Sequence, residues 1–276
     1  MPSSLVSPHT DNLAHRLWRY MQERFPIFEH GALIAAFSFS GVALSACLRG
    51  SNELPHLEVL LTALLAALIF FLQLRIADEI KDHEEDCRFR PYRPVPRGLV
   101  SLSELKGVAV VGALLQFILT LLLNPFVLWF LLLAWLYLGL MTKEFFQGKW
   151  LRAHHLLYMG SHMLIMPFID AYITACDWAP AAHGPPDGLL WFLLVSFFNG
   201  LVIEIGRKIR APQDEEVGVE TYTVLWGMSR SIWAWLCMLA ATALFALFCA
   251  QSTGLDRKST RLNSSHLKLS RMPSSA

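Results

Sequence analysis

Charge is scarce in this chain. Charged residues occupy 16% of its 276 positions and hydrophobic residues 54%, whereas a soluble domain carries about a quarter charged. That shortfall excludes an ordinary water-soluble fold. The formal net charge of +1 says nothing about nucleic acid, because basic charge is sorted by side rather than accumulated, and no nucleic-acid partner is expected. Cysteine is sparse and scattered: Cys47, Cys87, Cys176, Cys237 and Cys249 form no CxxC or paired spacing, which excludes a disulfide framework or zinc site. The first 30 residues lack an apolar core segment and do not read as a signal peptide. Alternating barrel-strand patterns are missing as well.

What is present is long apolar runs. Seven stretches approach the roughly 20 residues of a spanning helix: Gly31 to Leu48, Leu57 to Leu74, Leu105 to Leu123, Pro125 to Met141, His155 to Ala175, Leu189 to Gly206 and Ile232 to Ala250. Lipid gives the backbone no hydrogen-bond partner, so these must be helices. The expected fold class is an all-α polytopic transmembrane bundle.

Lys and Arg are sorted by side. Arg16, Arg19 and Arg24 precede the first span, Lys81 to Lys106 fill the second-to-third connection, Lys143, Lys149 and Arg152 the fourth-to-fifth, and Arg207, Lys208, Arg210 and Arg230 the sixth-to-seventh. The other loops carry only Arg49. The positive-inside rule then puts the N-terminus and all the charged loops in the cytoplasm. Asn12 to Phe25 places Leu13, Leu17, Tyr20, Met21 and Phe25 roughly on one helical face, which suits a helix lying in the membrane interface. The chain divides into an interfacial segment at 1–30, a transmembrane domain at 31–250, and a polar, basic tail at 256–276. The tail resembles translated adapter sequence and is expected to be foreign to the fold, with further helices missing after it.

The densest charge follows the second span. In DEIKDHEED, Asp78, Asp82 and Asp86 fall at i, i+4 and i+8, and Glu79 shares the face of the last two. A helix continuing out of the span would align these carboxylates, and like charges so spaced cost about 0.2–0.5 kcal/mol per pair. Lys81 lies off that face and Arg75 reaches only its first turn, so a divalent cation is the natural compensation. Oxygen-only ligands point to Mg2+, which takes one or two carboxylates and fills its remaining positions with waters and substrate phosphates. In RFRPYRPVPRG, Arg88, Arg90, Arg93 and Arg97 alternate with helix-breaking prolines, and guanidinium groups grip phosphate in bidentate fashion. SLSE restarts the helix as a capping box, with Ser101 as cap and Glu104 three residues on.

This stretch resembles the first signature of the UbiA superfamily of intramembrane prenyltransferases, NDxxDxxxD followed by RPxxxG. Here it reads DExxDxxxD (Asp78, Glu79, Asp82, Asp86), then RPVPRG from Arg93 to Gly98. The second family signature, DxxxD before a GxxS/TxxxxxG segment, is matched by GVETYTVLWG (Gly218 to Gly227). Asp214 matches its later Asp, while Arg210 stands where the first should be. Glu204 and Glu215 are the nearest replacement ligands, and Arg207, Lys208 or Arg210 offer positive charge instead. Lys143 resembles the family's diphosphate-contacting lysine.

The resemblance implies nine helices around a cavity, of which this chain supplies seven, and a Mg2+-dependent transfer of a prenyl group from its diphosphate to a lipophilic acceptor. On that reading the metal ligands are Asp78, Glu79, Asp82, Asp86, Glu204, Asp214 and Glu215. Arg93, Arg97, Lys143 and Asp214 act on the leaving group. Arg75, Lys81, Arg207, Lys208 and Arg210 bind substrate, joined by His162 and Asp170 of the fifth span, whose His155, His162, Met166, Asp170 stripe is costly in lipid unless it faces the interior. Three other readings are phosphoribosyl transfer to a polyprenyl phosphate, an ion-coupled transporter working through His162 and Asp170, and an inactive relative. The absence of DGxxAR argues against a CDP-alcohol phosphotransferase.

Overall fold

A computed structural model describes residues 12–51, 53–215 and 221–254. The tail at 256–276 and Gly218 to Glu220 of the second signature lie outside the described residues. All regular structure among the described residues is helical. Helix α1 (Leu13–Arg24) leads into α2 (Ile27–Leu48), and α3 (Leu57–Lys81) returns to the same end, followed by the short α4 (His83–Phe89). Next come α5 (Leu102–Leu123) and α6 (Leu128–Thr142), joined through a 3-10 turn at Pro125–Val127. Helices α7 (Gly148–Ala153), α8 (His155–Met163) and α9 (Ile165–Trp178) precede α10 (Leu189–Gly206), the short α11 (Tyr222–Trp226) and α12 (Met228–Ser252).

Seven segments are long and apolar enough to cross a membrane, in the order the sequence predicts: α2, α3, α5, Pro125–Thr142, His155–Trp178, α10 and α12. The core forms where α3 and α9 meet α2 and α6. Small residues make that approach close, as helices in lipid require: Ala63, Ala66 and Ala67 of α3 are fully buried. On α2, a Cβ at Gly41 would stand 2.9 Å from Ile173 Cγ2 of α9, so only glycine admits this crossing.

Polar side chains fasten the same core. Gln116, fully buried on α5, donates to the carbonyl of Ala66 (2.9 Å), and its Oε1 accepts from Gln73 Nε2 and Trp135 Nε1, both at 3.1 Å. One side chain thereby ties α5 to α3 and α6. At the end opposite the charged loops, Arg49 grips Asp177 with two hydrogen bonds of 2.8 and 3.0 Å, and Ser45 donates a third.

Two helices break where the sequence reading runs them through. The expected span from His155 to Ala175 divides at Leu164. Pro167 explains it: its ring leaves the carbonyl of Met163 without an N–H partner and crowds it. Helix α3 ends at Lys81, and Asp82 takes a non-helical φ of −92° and ψ of 6°. The amides of Asp82 and Asp86 still bond the carbonyls four residues back, so the acids keep helical spacing across the break.

Helix α1 packs on protein through much of its predicted apolar face. Tyr20 is buried against Ile76, Val95, Val100 and Leu105, with Leu17 and Met21 beside it, whereas Leu13 is 43% exposed. The capping box forms as read, Ser101 Oγ accepting from the Glu104 amide and Glu104 Oε2 from the Ser101 amide. Glu104 also takes Arg16 of α1 at 2.6 Å, so the cap doubles as an anchor.

Side-chain hydrogen bonds within a bilayer average about 0.6 kcal/mol. Gln116→Leu, which removes three of them at nearly constant volume, is expected to lower stability by about 1–2 kcal/mol, read as a fall in the unfolding midpoint in detergent.

Candidate active site

At the end of the bundle that carries the charged loops lies a cavity of about 850 Å³. The ends of α3 and α10, the length of α8, and α4 and α11 wall it, and Arg24 of α1 and Arg152 of α7 reach in from the rim. Nine Arg or Lys side chains line it against six carboxylates, so the mouth has a positive excess suited to a polyanion. Deeper in the spans the lining turns apolar, with Leu74, Ile165 and the unbranched side chains of Met141, Met159, Met163 and Met166.

Leaving aside the exposed Glu85 and adding Glu79 just behind the wall, the carboxylates fall into two sets. The first is pinned. Asp86, 2% exposed, is forked by Arg90 (2.9 Å) and Arg93 (2.5 Å). Glu204 takes Arg207 Nε at 2.6 Å and Lys208 at 2.9 Å, and Glu144 holds Arg152 through two close contacts of 2.9 and 3.1 Å. Glu79 meets Arg24 at 2.6 Å, its side chain 1% exposed and off the cavity wall. The helical-wheel expectation that Glu79 shares the face of Asp82 and Asp86 gives way here, because docking of α1 supplies a partner on another side.

The second set is loosely compensated. Asp78 is 41% exposed, with Lys81 Nζ at 3.8 Å and Arg75 at 3.9 Å. Lys81, read as lying off the acidic face, therefore stands beside it. Burial, which outweighs the opposing pull of nearby Lys81, pushes the Asp82 carboxyl up to about 6, and the charges of Asp78, Asp86 and Glu85 add to the effect. Burial and neighbouring like charge both disfavour its ionised form.

Among the described residues no three His, Cys, Asp or Glu side chains converge as a metal cage. Asp78 and Asp82, one helical turn apart on the same wall, match the smaller demand of Mg2+ for one or two carboxylates alongside water and phosphate oxygens. The residues present therefore fit such an ion.

Of the remaining predicted positions, Arg75, Lys81, Arg93, Arg207, Lys208, Arg210 and His162 line the cavity. Arg97 instead binds Glu23 of α1 at 2.5 Å. Lys143 is exposed just past α6, away from the cavity wall. Asp214 sits in a 3-10 turn, where Arg210 donates to its carbonyl. Glu215 accepts from Thr221 and Thr223 at 2.6–2.8 Å, which hold its carboxyl below the usual range. Neither of these acids lines the cavity. Asp170 is 1% exposed beside Gly41, one helical turn past Met166 on α9 and beyond the cavity.

Residues 37–255 match the family model of the UbiA prenyltransferase family. The chain belongs to that family. It is thus an integral membrane protein of prenyltransferase type. A solved structure described as a digeranylgeranylglyceryl phosphate synthase in membranes is similar in fold, with a TM-score of 0.51 and 14% identity over 87% of this chain and 92% of that one. No curated protein matches it.

Sequence reasoning missed several cavity residues of this UbiA prenyltransferase. Arg24 and Arg152 carry only the signal of loop charge, which reports membrane side rather than direction. Tyr158 looks like any span aromatic, yet its ring lies under Lys81 Nζ, 5.5 Å from the centroid.

Removing one partner of a buried ion pair strands the other and costs about 3–5 kcal/mol. Arg24→Met is expected to destabilise by that order, and adding Glu79→Gln to recover most of the loss. Thermal unfolding of the two single variants and the double variant measures the coupling.

Proposed function

We propose that this protein transfers a prenyl group from a prenyl diphosphate to a lipophilic acceptor within the membrane, with Mg2+ as its cofactor. The observation that carries the reading is the cavity's polarity: under-compensated carboxylates and a cationic surplus at the mouth, a methionine-rich apolar lining below. A molecule with a multiply charged head and a hydrocarbon tail satisfies both parts at once. By the positive-inside rule the mouth faces the cytoplasm.

In this reading Asp78 and Asp82 hold the cation. Magnesium, when bound, would neutralise the diphosphate and favour its departure. Asp86 and Glu204 serve as anchors, fixing Arg93 beside Arg90 and Arg207 beside Lys208, so that these cations need not reorganise as charge builds on the leaving group. Arg75 and Lys81 stand on the α3 side, next to the two ligands. As the allylic carbon–oxygen bond breaks, its electron pair leaves with the diphosphate oxygens, and the fixed cations stabilise it. The apolar lining keeps water from the allylic carbon. The adaptable methionines suit a flexible chain.

Calorimetry with geranylgeranyl diphosphate in detergent tests this. Binding is expected only with Mg2+ and is expected to weaken about 100-fold or more in Asp82→Ala. Equal binding without the metal, or an unchanged affinity in the folded variant, overturns the assignment.

A further inference from the structure

Most polar side chains around the cavity are tied to one another, and His162 is half tied. It lies in the last turn of α8, is 7% exposed, and lines the cavity. Its Nδ1 lies 2.8 Å from the carbonyl oxygen of Tyr158, one turn back. A carbonyl only accepts, so Nδ1 carries the proton, and in the neutral ring Nε2 is an acceptor. No described residue supplies a donor to that buried Nε2.

The ring is also fixed in orientation. It stacks on Tyr158 with centroids 4.0 Å apart and planes 20° apart, and the Phe145 ring meets it edge-on at 6.4 Å. Lys81 Nζ rests over the far partner of this stack, 3.8 Å from Asp78. A contiguous line thus runs from Asp78 through Lys81 and Tyr158 to His162, from the charged mouth to the apolar depth. Met159 and Met166, three before and four after His162, line the same wall.

We propose that His162 Nε2 is the hydrogen-bond acceptor that selects the second substrate, and that this substrate is a lipophilic compound bearing a hydroxyl group, phenolic or alcoholic. The inference rests on the prenyl-transfer reading of the same cavity. The hydroxyl reaches Nε2 by turning aside the flexible methionines, and its apolar body lies against them and the aromatic pair. Any other buried polar group on that wall would have to compete with an acceptor already aimed by two contacts. A substrate that hides its hydroxyl as an ether leaves Nε2 unmet and loses the preference.

Radiolabelled 4-nonylphenol and its methyl ether, binding to protein in lipid nanodiscs with empty nanodiscs subtracted, test the proposal. Wild type is expected to prefer the phenol about tenfold, the size of one hydrogen bond to a buried group. His162→Phe keeps the stacking ring and is expected to abolish the preference while leaving ether binding unchanged. His162→Gln, whose amide oxygen replaces Nε2, is expected to restore part of it. No preference in wild type, no binding of either probe, or a preference that survives in His162→Phe overturns the proposal. Geranylgeranyl diphosphate binding on the same nanodiscs separates the two readings. A protein that prefers the phenol but ignores the diphosphate keeps the hydroxyl site and loses the prenyl-transfer reading. One that takes the diphosphate without preferring the phenol loses the hydroxyl site alone.

Discussion

A carboxylate withdrawn from water must meet positive charge, and the charged end of this bundle is organised by that demand. Glu79, Asp86, Glu144 and Glu204 are each buried or nearly so, and each holds one or two cations: Arg24 of α1, Arg90 and Arg93 past the end of α4, Arg152 of α7, and Arg207 with Lys208 past the end of α10. Such pairs contribute little net stability against apolar replacements, because desolvation offsets the attraction. What they confer is position. Arg24 fastens α1 to α3, Arg90 and Arg93 fold the proline-rich loop back onto α4, and Arg207 with Lys208 caps α10. The cationic rim is therefore fixed by its own counter-ions rather than left as a set of mobile side chains.

Against that background the exceptions stand out. Asp78 has only distant partners, and the Asp82 carboxyl is pushed up by burial despite Lys81 nearby. Both face the cavity, whereas the well-compensated Glu79 does not. On the proposed reading, a wall that pairs Asp86, Glu144 and Glu204 and leaves Asp78 and Asp82 wanting has room for a cation that arrives from outside. The apolar lining begins little more than two helical turns further in, since Leu74 and Asp82 are eight residues apart on and just past α3. A ligand spanning that distance must change character sharply along its length.

Much of this was legible beforehand for physical reasons. Apolar runs set by bilayer thickness located all seven spans, and the Ser101–Glu104 box marked the start of α5 because orphan amides demand such partners. The spacing of Asp78, Asp82 and Asp86 survived even the break at Asp82, since backbone bonds bridge it. Other features depend on which way an element turns once its neighbours are in place. Nothing local says that Arg24 will claim Glu79, that Arg97 will face α1 instead of the cavity, or that Asp214 will point away. The division at Leu164 was foreseeable from Pro167.

The departure in the second family signature then takes on a physical sense. Arg210 occupies the position of an expected aspartate, and it lines the cavity with Arg207 and Lys208, while Asp214 and Glu215 do not. Glu204, the acid that remains on that wall, is already neutralised twice. The two walls are thus electrostatically unequal: the α3 side offers carboxylates, the α10 side offers cations. On the proposed reading, a diphosphate between them is approached through metal on one side and directly by guanidinium and ammonium groups on the other. Fixed side-chain cations can replace part of what a second metal contributes, because the leaving group responds to nearby positive charge whatever its carrier. The substitution at Arg210 therefore alters how the charge is delivered without removing it.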